Sequence, residues 1–202
     1  AQIADALRAI EAIKSKGDRT VCGFTWSDVE RLASGDTITA VLKRLHDAGL
    51  DGLSVLPLDG QTDPGQVVEQ LAAAGFTQIR LTVDKAPADT RTAMLLRADE
   101  LQDRYGCIQA INPLPMTLAT FRPTTGYDDV KMVAIARLAA PGIPTVQVDW
   151  RRYGPKLAQV ALTFGADDID GVSASDEAPE GRRRAPLEEI TRNIEAAGFE
   201  PV

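Results

Sequence analysis

The chain has 202 residues, 44% hydrophobic and 25% charged, with a formal net charge of −7, a composition that allows one globular domain with a sizeable core. No apolar run approaches the roughly 20 residues of a membrane span, and residues 1–16 mix charged with apolar positions as no signal peptide does. The acidic balance argues against nucleic-acid binding, which needs clustered Lys and Arg.

Residues 1–16 read as a helix, with Ile3, Leu7, Ile10 and Ile13 at helical spacing and Gly17 as the stop. Residues 20–25 read as a strand, and Ser27 as the cap of a short helix over 28–33. An amphipathic helix over 39–48 ends at Gly49. A second strand covers 53–57, and a helix over 64–74 starts on Pro64 and stops at Gly75. Residues 78–83 form a strand of period two. A long helix spans 88–105, with Met94, Leu95, Ala98 and Leu101 on one face and Gly106 as terminator. The remaining units are a strand over 108–111, a helix over 127–139, a strand over 145–148, a helix over 155–164, a short strand over 168–172 and a helix over 187–197.

About six strands thus alternate with helices and no hairpin turn joins two of them. Such alternation needs crossover connections and a parallel sheet. No Gly-x-Gly-x-x-Gly fingerprint follows the first strand, which disfavours a dinucleotide-binding sheet. Strand ends carrying Thr25, Asp84, Asn112, Asp149 and Asp168 suit a barrel whose working face lies at the C-terminal ends of its strands. The expected fold is therefore α/β: an incomplete (β/α) TIM-type barrel of about six parallel strands, with residues 1–202 as a single domain. The chain begins at Ala and ends directly after a helix, which suggests a fragment or a processed chain.

Cys22 and Cys107 lie far apart in apolar segments and are expected to be buried reduced thiols in a cytoplasmic protein. The basic run Arg182-Arg183-Arg184, beside Asp176, Glu177 and Glu180, reads as a solvated loop. His46, the chain's single histidine, lies among Arg44 and Asp47 on a predicted helix and reads as a surface residue. One such His assembles no Ser/His/Asp or Cys/His set.

Two longer stretches carry a resemblance. Arg122-Pro123-Thr124-Thr125-Gly126-Tyr127-Asp128-Asp129-Val130-Lys131-Met132-Val133 and Tyr153-Gly154-Pro155-Lys156-Leu157-Ala158, running on to Asp167-Asp168-Ile169-Asp170-Gly171, resemble the radical SAM enzymes of the menaquinone pathway. These are aminofutalosine synthase, dehypoxanthine futalosine cyclase and, more distantly, the FO synthases. The Asp-Asp-Ile-Asp-Gly ending is similar to the aminofutalosine synthase branch. So are Leu101-Gln102-Asp103-Arg104-Tyr105-Gly106 and Leu42-Lys43-Arg44-Leu45-His46-Asp47. In register, the six strands would be the third to eighth of the family's barrel.

The resemblance implies a transferase that adds the 5′-deoxyadenosyl radical of S-adenosylmethionine to an enol-ether benzoate. It also implies a four-iron four-sulfur cluster on three closely spaced cysteines, and S-adenosylmethionine on the cluster. Cys22 and Cys107 cannot reproduce that spacing. This chain alone is therefore expected to bind neither cofactor, which an upstream segment would have to bring, and to be inactive by itself. Ser54-Val55-Leu56-Pro57-Leu58-Asp59-Gly60 stands where the family has a glycine-rich turn, and Val172-Ser173-Ala174-Ser175-Asp176 where it has a Thr- and Glu-rich stretch. These departures keep open a diverged, non-catalytic paralogue that binds a small molecule or a partner.

The candidate substrate-binding residues are Thr25, Asn112, Arg122, Asp149, Trp150, Asp168 and Asp170. Asp149 suits a ribose hydroxyl or an amine, or the cap of the next helix; Trp150 stacks on a ring or fills the barrel mouth. Strand alternation puts Asp168 and Asp170 on one side and Asp167 on the other, as paired acid–base carboxylates or as turn-forming residues. Asn112 binds substrate or its own turn, Thr25 lines the mouth, and Arg122 is a carboxylate clamp or an exposed loop residue. The expected ligand is a small molecule of nucleoside or aryl-carboxylate type, with no nucleic acid and no membrane. An unclosed barrel exposes sheet edges, so an oligomer or a partner chain is expected to cover them.

Overall fold

The computed structural model describes residues 3–117, 124–172 and 187–202. Helix α1 (Ile3–Lys14) buries Ala6 and Ile10 against α3 (Ile38–Asp47). Lys14 Nζ reaches Asp51 at 2.7 Å, and Asp51 also accepts from the Val21 N–H. That carboxylate ties the first helix to the two extended segments behind it.

The strand expected over 20–25 is reduced to a single parallel bridge, Cys22↔Gly52. Its backbone still pairs, through Asp51 N to Val21 O (2.8 Å), Gly23 N to Gly52 O (3.1 Å) and Ser54 N to Phe24 O (3.0 Å). Regular pairing ends because Phe24 takes φ 64, a left-handed conformation costly for a bulky residue. Ser54 holds it there with a second bond from its hydroxyl to Phe24 O. The following helix starts earlier than expected. α2 (Trp26–Leu32) is capped by Thr25 rather than Ser27, in a reciprocal capping box with Asp28. Trp26 drives this choice, because as the first helical residue it is buried and Ser27 stays exposed.

The strand expected over 53–57 shortens to β1 (Leu56–Pro57). Pro57 has no N–H for the ladder, and the chain enters past Gly52, where a Cβ would lie 2.3 Å from Gln78 O. A one-turn 3-10 helix (Leu58–Gly60) leads to α4 (Pro64–Ala73). Then come β2 (Ile79–Val83), α5 (Ala88–Tyr105), β3 (Ile108–Pro115), α6 (Gly126–Ala139) and β4 (Thr145–Asp149). A four-residue helix absent from the sequence reading, α7 (Trp150–Tyr153), precedes α8 (Pro155–Leu162), β5 (Asp168–Asp170) and α9 (Leu187–Ala196). α5 stops at Gly106 in the left-handed region, φ 62.

The five strands form one parallel sheet in chain order, β1-β2-β3-β4-β5. With the bridged segment at Cys22 this makes six strand-like segments joined by helical crossovers, an incomplete (β/α) barrel. Ile79, Leu81, Ile111, Val146 and Val148 are buried in the core cluster, and Val83 is buried as well. Val41, Leu45, Val68, Leu71, Leu95, Val133, Ala136 and Ala158 from the helices share that cluster. Each large side chain buried there stabilises the fold by about 1.5–3 kcal/mol. Asp167 belongs to this helical side: its carboxylate accepts from Arg137 of α6 at 2.6 Å and from the Val146 N–H at 2.8 Å.

His46 is half-buried, its ring edge-on to Phe76 with centroids 5.3 Å apart. It packs rather than standing free. Cys107 is buried and Cys22 half-buried, both as free thiols. Among the described residues no helix is long and apolar enough to cross a membrane.

Candidate functional site

Side chains alternate across a strand, so residues between the core-facing ones point to the opposite, lumenal face. The register aligns them in rows. Thr82 pairs with Asn112, and Gln147 pairs with Asp168. Two residues beyond the pair Ala110↔Thr145, Asn112 comes beside Gln147. One polar row therefore crosses four strands: Thr82, Asn112, Gln147, Asp168. Thr82, Asn112 and Gln147 are buried, unusual for polar side chains, and the Thr82 hydroxyl makes no hydrogen bond among the described residues.

Asp149 and Asp170 pair on β4 and β5, one step nearer the C-terminal ends of the strands. Asp149 caps α7, accepting from the Arg152 N–H at 2.9 Å, and its carboxylate abuts Gly171, where a Cβ would lie 2.9 Å from Oδ1. Gly171 has φ 80, so both its conformation and its space require glycine. Asp168 and Asp170 thus share one face and Asp167 the other. Trp150 follows Asp149 and is 1% exposed, and its indole N–H has no partner among the described residues. A buried donor without a partner costs about 1–3 kcal/mol, a cost that a ligand oxygen would remove.

Behind the rim lies a buried polar group that the sequence reading missed. Arg91 occupies the top of the α5 core stripe, four residues before Leu95, and is 2% exposed. Its single hydrogen bond among the described residues runs 3.4 Å to Pro113 O, and its Nε has no partner. Asp129 on α6 is 5% exposed, and its Oδ1 has no partner among the described residues. Burial pushes the Asp129 carboxyl above its ordinary range, more than the Thr124 hydroxyl and the Arg91 charge pull it down. Burial likewise pushes the Tyr153 phenol well up, with the Asp129 charge adding to it. The Tyr153 hydroxyl donates to Pro115 O at 2.8 Å. Arg91 and Tyr153 together hold the Pro113–Pro115 carbonyls, fixing the end of β3 against α7. Asn112 and Trp150 are placed by that clamp.

The other predicted site residues are more scattered. Thr25 sits exposed at the end of the first extended segment, its hydroxyl engaged with Asp28 at 2.7 Å. Arg122 lies outside the described residues. The thiols do not fit a cluster that needs three thiolates: there are two, and burial raises the pKa of each, for Cys22 against a smaller opposite pull from Arg80. No three His, Cys, Asp or Glu among the described residues are grouped to hold a metal ion. The lumenal face instead offers hydrogen-bond donors and acceptors and the carboxylates of Asp149, Asp168 and Asp170, a set suited to orienting a polar small molecule.

Comparison with known proteins agrees with this architecture. Residues 115–202 match the family described as the CofH/MqnC C-terminal region. The 5-amino-6-(D-ribitylamino)uracil–L-tyrosine 4-hydroxyphenyl transferase of Archaeoglobus fulgidus is 30% identical, the match covering 83% of this chain and 57% of that protein. The aminodeoxyfutalosine synthase of Thermus thermophilus is 29% identical over 80% of this chain and 52% of its own length. The cyclic dehypoxanthine futalosine synthase of Streptomyces coelicolor is 25% identical, over 72% and 43%. The chain thus spans about half the length of these relatives.

Among solved structures, methylornithine synthase superposes with a TM-score of 0.69 at 16% identity, over 97% of this chain and 63% of that one. The FeFe-hydrogenase maturase of Carboxydothermus hydrogenoformans gives 0.68 at 15% identity, over 98% and 53%. These two likenesses establish the barrel fold alone. Residues 115–202 are a CofH/MqnC C-terminal region, and most of the chain is similar to the aminodeoxyfutalosine synthases, the cyclic dehypoxanthine futalosine synthases and the tyrosine 4-hydroxyphenyl transferases.

Proposed function

We propose that this chain, acting as one domain, is the substrate-facing portion of a radical SAM barrel of the aminofutalosine synthase type. The observation that carries the reading is the polar lumenal face of a sheet whose other face is apolar: Thr82, Asn112, Gln147 and Asp168 in one row, with Asp149 and Asp170 above it. Asn112, Asp149, Asp168 and Asp170 would bind and orient the polar groups of a nucleoside or aryl-carboxylate substrate, and Trp150 would close the mouth against water. Thr25 would line the same mouth, and Arg122 would meet a carboxylate. The reaction of this reading is addition of the 5′-deoxyadenosyl radical of S-adenosylmethionine to an enol-ether benzoate. No step of it is assigned to residues of this chain, because its two thiols do not fit the cluster that generates the radical.

Anaerobic iron–sulfur reconstitution of the 202-residue chain, with calorimetric titration of 5′-deoxyadenosine, tests the reading. The expected outcome is nucleoside binding without stoichiometric iron. Iron bound stoichiometrically by this chain overturns the assignment of the cluster elsewhere; absence of nucleoside binding overturns the lumenal site.

A second reading, a diverged paralogue serving as a binding module, is favoured by one observation. Asp59, in the segment that replaces the family's glycine-rich turn, accepts three backbone N–H bonds and ties that segment to the loop after β2. Such a module would be expected to cover the open edge of β5 with a second copy or a partner chain. A monomer on size-exclusion chromatography would count against that.

A further inference from the structure

Two internal hydrogen bonds sort the amides of the lumenal row. Asn112 Oδ1 accepts from the Leu114 N–H at 3.1 Å, so its oxygen is committed and its Nδ2 remains as a donor. Gln147 is committed the other way: its Nε2 donates to Asp168 Oδ2 at 2.6 Å, leaving Oε1 as an acceptor. Neither remaining group makes a hydrogen bond among the described residues, although Asn112 and Gln147 are only 5% and 3% exposed. The register sets the two residues side by side on neighbouring strands, whose backbones lie about 4.8 Å apart. The unpartnered Thr82 hydroxyl, able to donate or accept, flanks Asn112. A free amide rotates to suit either polarity; these two cannot.

We propose that Asn112 and Gln147 are a polarity-fixed pair that takes the lactam edge of a planar nitrogen heterocycle. The ligand carbonyl lies on Asn112 Nδ2 and the adjacent ring N–H on Gln147 Oε1. Asp168 is the positioning residue that holds the Gln147 amide in that sense. The argument for this class is satisfaction in a buried setting. One rigid group with an acceptor beside a donor pairs both amides at once, whereas a lone hydroxyl leaves one unpaired. The assignment rests on the proposed function only in placing the ligand on the lumenal face, and it names which edge is read and by which atoms.

The test is titration calorimetry of the full 202-residue chain with inosine and with 1-methylinosine, which keeps the carbonyl and replaces the ring N–H by a methyl. Inosine is expected to bind at least tenfold more tightly. Gln147→Met removes the acceptor while keeping the side-chain length, and should bring the ratio of the two affinities near one. Asp168→Ala frees the Gln147 amide to rotate and should narrow the ratio in the same way. Loss of packing weakens both nucleosides together and leaves the ratio unchanged, so the ratio separates positioning from a structural role. Equal affinities in the unsubstituted chain, or a ratio that survives both substitutions, overturns the proposal. Binding of 5′-deoxyadenosine, which has no lactam, without binding of inosine overturns the lactam assignment alone. Binding of neither overturns it together with the proposed function.

Discussion

Asp59 offers a quantitative test of how the rim of the sheet is held. Its Oδ1 accepts from the Asp84 N–H at 2.6 Å, and its Oδ2 accepts from the Lys85 and Ala86 N–H groups, each at 2.7 Å. The loop so fixed follows β2, and Asp84 in turn accepts from the Thr117 hydroxyl at 2.6 Å, just beyond β3. Asp59→Ala strands three donors at once. The Lys85 N–H is exposed and recovers a water, but those of Asp84 and Ala86 are half-buried. At about 1–3 kcal/mol for each of these two donors left unpaired, the expected loss is about 2–6 kcal/mol. Asp59→Asn should cost less. Its amide oxygen can take the Oδ2 place and keep two of the three bonds, turning only its NH2 against the Asp84 N–H.

The two variants also separate charge from geometry. Burial alone would raise the Asp59 carboxyl, but the backbone N–H bonds outweigh it and hold the pKa below the ordinary carboxylate value. A lowered folded pKa contributes stability that is present above the unfolded value, about pH 4, and is lost as pH falls through the folded one. Urea unfolding followed by far-UV circular dichroism between pH 2 and 7 reads both effects (about 2 to 7 being the span those titrations need). The unsubstituted chain should lose stability on that acid limb more steeply than either variant. An Asp59→Ala loss under about 0.5 kcal/mol, with an unchanged acid limb, would refute the role given to these bonds.

Asp129 should behave in the opposite sense. Its folded pKa is raised, chiefly by burial, so its charge opposes folding as pH rises past the unfolded carboxylate value. Asp129→Asn is expected to raise the urea midpoint at pH 7 and leave it nearly unchanged at acid pH. A destabilised variant at pH 7 would mean that the Arg91 charge matters more than desolvation. Thr25→Ala removes the α2 capping box and should cost about 1 kcal/mol in thermal or urea unfolding. If Thr25 serves only as a cap, 5′-deoxyadenosine affinity will be unchanged, and a weakened affinity in a fully folded variant restores it to the lumenal mouth. Gly52→Ala forces a Cβ to within 2.3 Å of Gln78 O and should part the bridged segment from β2. The expected loss is about 1–3 kcal/mol, as for overpacking, with faster amide exchange at Asp51 and Ser54; unchanged exchange would show that the chain shifts freely there.

The helices were legible in the sequence because their signals are local: apolar spacing, a starting Pro64, and terminating glycines such as Gly75 and Gly106. The parallel sheet was legible because helices separate the strands and leave no hairpin. Even the opposite facing of Asp167 and Asp168 follows from a period of two along one strand. Register between strands is a different kind of fact. Gln147 and Asp168 are 21 residues apart, and only the pairing of β4 with β5 brings Nε2 within 2.6 Å of Oδ2. Local patterns carry no trace of that contact, so Gln147 and Thr82 read as ordinary strand residues.

Arg91 is hidden for a related reason. Its place on the α5 core stripe is visible in the spacing to Leu95, but charge argues for solvent until α6, α7 and the end of β3 are seen to enclose it. Phe24 and Pro57 likewise show how backbone geometry cuts short strands that composition alone would extend. The sequence by itself determined the alternation of elements and the face on which each residue stands, since both depend on bonds within a few residues. Which polar groups meet on the lumenal face, and which of their atoms remain free, was decided only by tertiary structure, because those contacts exist only once distant strands share a register.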